Sequence, residues 1–184
     1  MLEKNWNDLI TPSNVVITAK DGDIKGTVVA EPIERGYGLT IGNSLRRVLL
    51  SSLQGAAITA IKIENVLHEF TSIPGVREDV VDLILNIKNI SVKSHIEGAS
   101  KVSLTANGPC EVTAGMIQSN ANVEIKNTNL VLCHLDKDSE LNIEFTINTG
   151  RGYSPAANNK PEDAPIGLIP IDAIFSPIKT VSYK

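Results

Sequence analysis

No stretch of the chain approaches the roughly 18 consecutive apolar residues that a membrane-spanning helix needs. The opening residues Met1-Leu2-Glu3-Lys4-Asn5-Trp6 are polar and mixed in charge, and read as no secretory signal. Without such a signal the glycosylation pattern Asn89-Ile90-Ser91 reads as chance. A basic excess is also missing: 17 Lys and Arg stand against 21 Asp and Glu, a net charge of −4. A domain that holds nucleic acid by displacing counterions shows a basic surplus or a basic stripe, so action on DNA or RNA is expected only through other proteins. Cysteine is scarce, with only Cys110 and Cys133, both expected as reduced core thiols. Together with His68, His95 and His134 they do not supply the closely spaced soft ligands of a zinc site. Internal repeats and low-complexity tracts are absent too. What remains is 184 residues of ordinary composition, enough for one large domain or two small ones with a real core.

The residues that are present carry clear periodicities. Val15-Val16-Ile17 and Thr27-Val28-Val29-Ala30 flank Asp21-Gly22-Asp23, which predicts a hairpin with strands over 14–20 and 25–33. Pro32, lacking an N–H for the ladder, closes the second strand. After the turn Gly36-Tyr37-Gly38 the period lengthens. Thr40 is a suitable N-cap for a helix over 40–53, with Ile41, Leu45, Val48, Leu49 and Leu53 on one arc. Gln54-Gly55 reads as its stop, and Ile58, Ala60 and Ile61-Lys62-Ile63 predict a strand over 56–64. A second helix is expected over 77–89, with Glu78 and Asp79 in the first turn where the helix dipole favours acids. Its Val80, Val81, Leu83, Ile84, Leu85 and Ile87 imply a broad buried face against a sheet. Short strands follow over 90–96, 101–107, 122–126, 130–134 and 141–148, spaced as in an antiparallel β domain. The polar segment 150–165 reads as a functional or mobile loop, with further strands over 166–171 and 179–183.

Chemistry is harder to find. Opposite the apolar arc of the first helix, Asn43, Arg46, Arg47 and Leu50 share a face. A leucine beside arginines suits a protein–protein hot spot, with a plain surface or a second buried layer as the alternatives. Lys88 falls on the apolar side of the second helix, either snorkelling near the C-terminus or offered to a partner. The glycines at 36, 38 and 42 are one residue too widely spaced for a dinucleotide fingerprint, and no acidic residue closes a βαβ unit after them. Gly150-Arg151-Gly152-Tyr153 is a single RNA-binding-like scrap. A nucleic-acid-binding or small-molecule-binding module therefore stands as the alternative reading. Ser51-Ser52 lacks a nucleophile elbow, and His68-Glu69, in the strand-like Val66-Leu67-His68-Glu69-Phe70, lacks the second histidine of a zinc protease. Glu78, Asp79 and Asp82 read as a solvated helix face. With no nucleophile beside a base, no catalytic residue, cofactor or metal is expected.

One long segment is more specific. Glu31-Pro32-Ile33-Glu34-Arg35-Gly36-Tyr37-Gly38-Leu39-Thr40-Ile41-Gly42-Asn43-Ser44-Leu45-Arg46-Arg47-Val48-Leu49-Leu50-Ser51-Ser52 closely resembles the signature of the bacterial RNA polymerase alpha subunit. The likeness continues through Val66-Leu67-His68-Glu69-Phe70, Gly75-Val76-Arg77-Glu78-Asp79, Leu85-Asn86-Ile87-Lys88, Gly108-Pro109, Val112-Thr113-Ala114, Cys133-His134-Leu135, Gly150-Arg151-Gly152-Tyr153, Pro165-Ile166-Gly167, Asp172 and Ser176-Pro177. It implies an α+β fold. A mixed α/β dimerisation domain, residues 1–54 with 178–184, is interrupted by a largely antiparallel β-rich insert with one main helix, residues 55–177. It also implies a non-catalytic scaffold of DNA-dependent RNA polymerase, cytoplasmic and nucleoid-associated through the enzyme, which dimerises and recruits the beta and then the beta-prime subunit. DNA would be met only through the complex.

By match to the family, Ile41, Leu45, Val48 and Leu49 would face the second copy. Arg46, Arg47, Leu50, His68 and Glu69 would meet beta, and Lys88, Asp172, Ser176 and Pro177 would meet beta-prime. In the family the dimerisation domain continues beyond the position of Lys184 into more strands and a closing helix, and a separate DNA- and activator-binding domain follows. Weakened dimerisation, with Ile41, Leu45 and Leu49 exposed, is accordingly expected.

Overall fold

Two-residue periodicity dominates the chain, and the resulting fold is α+β, rich in antiparallel sheet with few helices. The computed structural model describes residues 8–20 and 24–184. The Asp21-Gly22-Asp23 turn expected in the first hairpin lies outside the described residues. The chain separates into two compact units, Leu49–Lys179 and Met1–Val48 with Thr180–Lys184.

In the smaller unit β1 (Asn14–Thr18) and β2 (Thr27–Glu31) pair antiparallel, from Asn14 opposite Glu31 to Thr18 opposite Thr27. Val15, Val16, Ile17, Val28 and Val29 stay exposed, on both faces. Helix α1 spans Tyr37–Ser51 and starts three residues before the expected Thr40 cap. The cause is Gly36, whose φ of +90° turns the chain in a left-handed conformation costly for other residues. The Tyr37 N–H then donates to the Glu34 carbonyl at 3.0 Å as the helix begins.

The larger unit is built on β3 (Gln54–Ile63), α2 (Val80–Ile87), β4 (Val92–Ser94), β5 (Ser100–Asn107), β6 (Cys110–Thr113), β7 (Val123–Ile125), β8 (Val131–Leu135) and β9 (Glu140–Arg151). It continues through β10 (Tyr153–Ser154), α3 (Ala156–Asn159), β11 (Leu168–Pro170) and β12 (Ala173–Ile174). Strands β5, β9, β3, β4 and β7 lie in that order in the main sheet, and β11 also pairs with β3. Separate two-stranded pairings join β6 to β8 and β10 to β12.

The core follows from strand alternation. Val102, Leu104 and Ala106 of β5 point inward, as do Leu141, Ile143, Phe145 and Ile147 of β9. Register sets Val102 opposite Phe145 and Phe145 opposite Ile61, with Leu104, Ile143 and Ile63 forming the next row. Residues directly opposite share a face, so these rows stack as layers. A bulge between Ile58 and Ala60 interrupts the β3–β9 register at Thr59. The freed Thr59 carbonyl accepts the Ile171 N–H at 2.8 Å, while its hydroxyl accepts from the Asn148 amide at 3.0 Å. The bulge thus tethers the segment between β11 and β12 to the sheet.

Several expectations are corrected. Gly55 does not stop a helix; it belongs to β3, because the Phe175 carbonyl passes where a Cβ would sit. Helix α2 begins at Val80 rather than 77, since the Asp79 carboxylate caps it by accepting the Asp82 N–H at 2.7 Å. Its buried stripe is Val80, Leu83 and Ile87, against β8, and Val81 and Leu85 are exposed, so the buried face is narrower than expected. Residues 66–70 form no strand, because Asn65 at φ 62° turns the chain out of β3. The loop reading of 150–165 gives way to the end of β9, then β10 and α3. Residues 179–183 carry no strand pairing.

Candidate functional site

Helix α1 presents Ile41, Leu45 and Val48 at 39%, 53% and 50% exposure, with Leu49 half-buried. Arg46 and Arg47 are exposed, whereas Leu50, expected between them on an open face, is half-buried. Gly36 and Gly42, whose spacing fits no dinucleotide fingerprint, have other duties. Gly36 supplies the turn, and a Cβ on Gly42 would strike the Tyr183 ring at 2.5 Å.

In the larger unit His68 is exposed and Glu69 half-buried, in the bend after β3. The Thr71 hydroxyl donates to the His68 carbonyl at 3.2 Å. Leu67 and Phe70 beside them stand 68% and 80% exposed. A strand over 66–70 would have hidden one of these two side chains, since positions 67 and 70 fall on opposite faces of a strand.

Glu78 is not part of a solvated helix face. Its carboxylate accepts the His134 backbone N–H at 2.8 Å and contacts His134 Nδ1 at 2.7 Å. Burial alone would raise the pKa of Glu78, but these His134 contacts hold it below the usual carboxylate value. A carboxylate with a depressed folded pKa stabilises above its unfolded pKa, and that stabilisation is lost as pH falls through the folded value. Glu78→Gln is therefore expected to lower stability by about 1 kcal/mol at neutral pH, a partly exposed pair giving no more. Urea unfolding should show the gap between variant and native protein closing below about pH 4.

Two positions 84 residues apart come together: Lys88 Nζ meets Asp172 Oδ2 at 3.3 Å. Lys88 is the C-cap residue of α2, and Asp172 lies between β11 and β12. Asp172 Oδ1 accepts the Ala156 N–H at 2.8 Å. That bond, opposed by some desolvation and aided by Lys88 and the Tyr153 hydroxyl, holds the Asp172 carboxyl below its ordinary pKa. Desolvation and the same carboxylate push the Tyr153 phenol up. The sequence reading met Tyr153 in an RNA-binding-like scrap and in the family likeness, and gave it no role. Ser176 Oγ turns inward, 3.2 Å from the Ile178 carbonyl and 3.4 Å from the Leu49 carbonyl, and Pro177 is exposed.

Burial, then the negative charge of Glu78 and the neighbouring Cys110, pushes the Cys133 thiol up to about 12, so it stays protonated at neutral pH. Among the described residues no group of three or more His, Cys, Asp or Glu side chains could hold a metal ion, and no helix is long and apolar enough to cross a membrane. The smaller unit thus carries an exposed apolar helix stripe with arginines on the opposite face, and the larger unit an ion pair near an exposed tyrosine. The family model of the RNA polymerase Rpb3/RpoA insert domain matches residues 61–176, more than half of the chain.

Proposed function

This chain belongs to the RNA polymerase Rpb3/RpoA insert-domain family, and from that premise we propose that it is a bacterial-type alpha scaffold on which the polymerase assembles. Membership makes it an alpha/Rpb3-type subunit of DNA-directed RNA polymerase. The finer reading is that two copies meet through Ile41, Leu45, Val48 and Leu49 of α1. Arg46, Arg47, Leu50, His68 and Glu69 then serve the beta subunit, and Lys88, Asp172, Ser176 and Pro177 serve beta-prime. The observation that carries it is the stripe of α1, where Ile41, Leu45 and Val48 are at least 39% exposed. A contiguous apolar stripe on one helix face suits burial against another chain better than contact with water. On the opposite face Arg46 and Arg47 add the side chain most often found in interface hot spots. The net charge of −4 supports contact with DNA through the complex rather than directly.

Capture of purified beta subunit by this chain tests the reading. Arg47→Ala is expected to weaken capture by about tenfold while leaving the melting temperature within about 2 °C of native. Equal capture by both proteins would remove Arg47 from the beta surface. Failure of the native chain to capture beta at all would overturn the scaffold reading.

A further inference from the structure

We propose that the open wedge between β3 and β4 is a peptide-binding site, which takes a short extended segment of uncharged, β-branched residues by adding it to the sheet.

The two strands are paired at a single position, Ala56 opposite Val92. The next hydrogen-bonded rung would set Gln54 opposite Ser94, but the strands part before it and a cavity of about 510 Å³ opens between them. That is an ordinary size for a ligand pocket, roughly 300–1,000 Å³. The direction of the main chain follows from the pairing with β7. The His95 N–H donates to the Asn122 carbonyl at 2.8 Å, and the Lys126 N–H to the Ser91 carbonyl at 2.9 Å. Ser91 and His95 therefore turn toward β7, and alternation along the strand turns Val92 and Ser94 toward β3. Ala56 meets Val92 across the rung, so Gln54, two residues earlier, also points into the gap. The main-chain N–H and C=O groups of Gln54 and Ser94 thus face the cavity without a ladder partner, and an extended peptide supplies the matching groups.

The lining selects the kind of peptide. Ala56, Val92, Ile96 and Pro177 give the cavity apolar walls, and Ala56 and Val92 rest on the core. Its hydroxyls are taken up in holding the turn after β4: the Ser94 hydroxyl donates to the Ile96 carbonyl at 2.8 Å, and the Thr149 hydroxyl accepts the Gly98 N–H at 3.4 Å. Charge at the mouth is balanced. Lys93 stands opposite Glu124, which also takes Lys126 Nζ at 2.6 Å and lies 4.0 Å from His95 Nε2, and Glu97 adds a second carboxylate. A phosphate or nucleotide would meet no surplus of positive charge here. Open main-chain groups over an apolar, charge-balanced cavity suit an uncharged extended segment, and β-branched residues favour that conformation.

Titration of an acetylated, amidated valine–threonine pentapeptide into the full isotope-labelled chain tests the site by NMR. Saturable amide shifts are expected at Gln54, Gly55 and Ser94. Methylating the three central N–H groups of the peptide keeps its side chains but removes its donors, and should weaken binding by about tenfold or more. Ile96→Glu, in a wall residue that is 39% exposed, should weaken it similarly and leave the melting temperature within about 2 °C of native. If Ile96→Glu fails to fold, the methylated peptide decides the matter on the native chain. Equal binding of the methylated peptide, or saturation without shifts at Gln54 and Ser94, would overturn strand addition. Absence of any shift at millimolar peptide would overturn the site. Shifts at the same amides with ATP or inorganic phosphate, and none with the peptide, would overturn the occupant.

Discussion

Phe145→Ala is expected to lower the unfolding free energy by about 3–5 kcal/mol, the usual cost of emptying a large aromatic site in a packed core. Phe145 is fully buried and heads the set of largest buried side chains. It sits mid-strand in β9, flanked in register by Val102 of β5 and Ile61 of β3. Three strands that hold one another in register cannot easily collapse into the gap, which argues for the upper part of the range. Urea denaturation of the two proteins measures it, with Phe70→Ala as the control. Phe70 is 80% exposed, so its loss should change stability by no more than about 0.5 kcal/mol. A Phe145→Ala loss below about 1 kcal/mol would contradict the layered packing of β5, β9 and β3.

Gly55→Ala should be nearly as damaging for the opposite reason. A Cβ there would lie 1.9 Å from the Phe175 carbonyl oxygen and 3.5 Å from Pro177. The obstacle is backbone, so no rotamer change relieves it, and a cost of about 3 kcal/mol, at the top of the overpacking range, is expected. The strain also has a direction. Phe175 is bound to Gly152 and follows Ile174, so a displaced Phe175–Pro177 segment would pull on the β10–β12 ribbon. Loss of beta-prime capture at temperatures where the variant remains folded should accompany the lower urea midpoint. A native midpoint would show that the two backbones are not in contact.

The same glycine shows where sequence reading stops. After an amphipathic helix, Gln54-Gly55 has the look of a stop signal, and the true reason for the glycine is the backbone carbonyl of Phe175, 120 positions away. Local patterns were sufficient where the structure is local. The alternation of Val102, Leu104 and Ala106 announces β5, and the apolar spacing of Val80, Leu83 and Ile87 announces α2. They failed for β6, which is short and opens just after Gly108-Pro109, and for the two-residue strands β10 and β12, too brief for any period to register. The candidate site divides similarly. Family likeness placed Lys88 and Asp172 in one group, but their ion pair depends on the β3 bulge and the α2 terminus meeting in space. Tyr153 carried no signal beyond the Gly-Arg-Gly-Tyr string, because its place is set by pairing with Ile174 in a ribbon whose strands are two residues long.

The bulge at Thr59 has a consequence for how the chain can vary in length. Asp172 takes its position from Ile171, which is tied to the Thr59 carbonyl, and from Ala156 and Asn159 on the near side of the excursion. Both ends of the 160–166 excursion are therefore pinned independently of what lies between them. Most of its residues are exposed, Ile166 at 86%. Adding residues to a loop whose ends are fixed costs little, growing only with the logarithm of its length. Insertions or deletions there can accumulate without moving the carboxylate, which makes this stretch the natural place for related chains to differ while keeping the same surface.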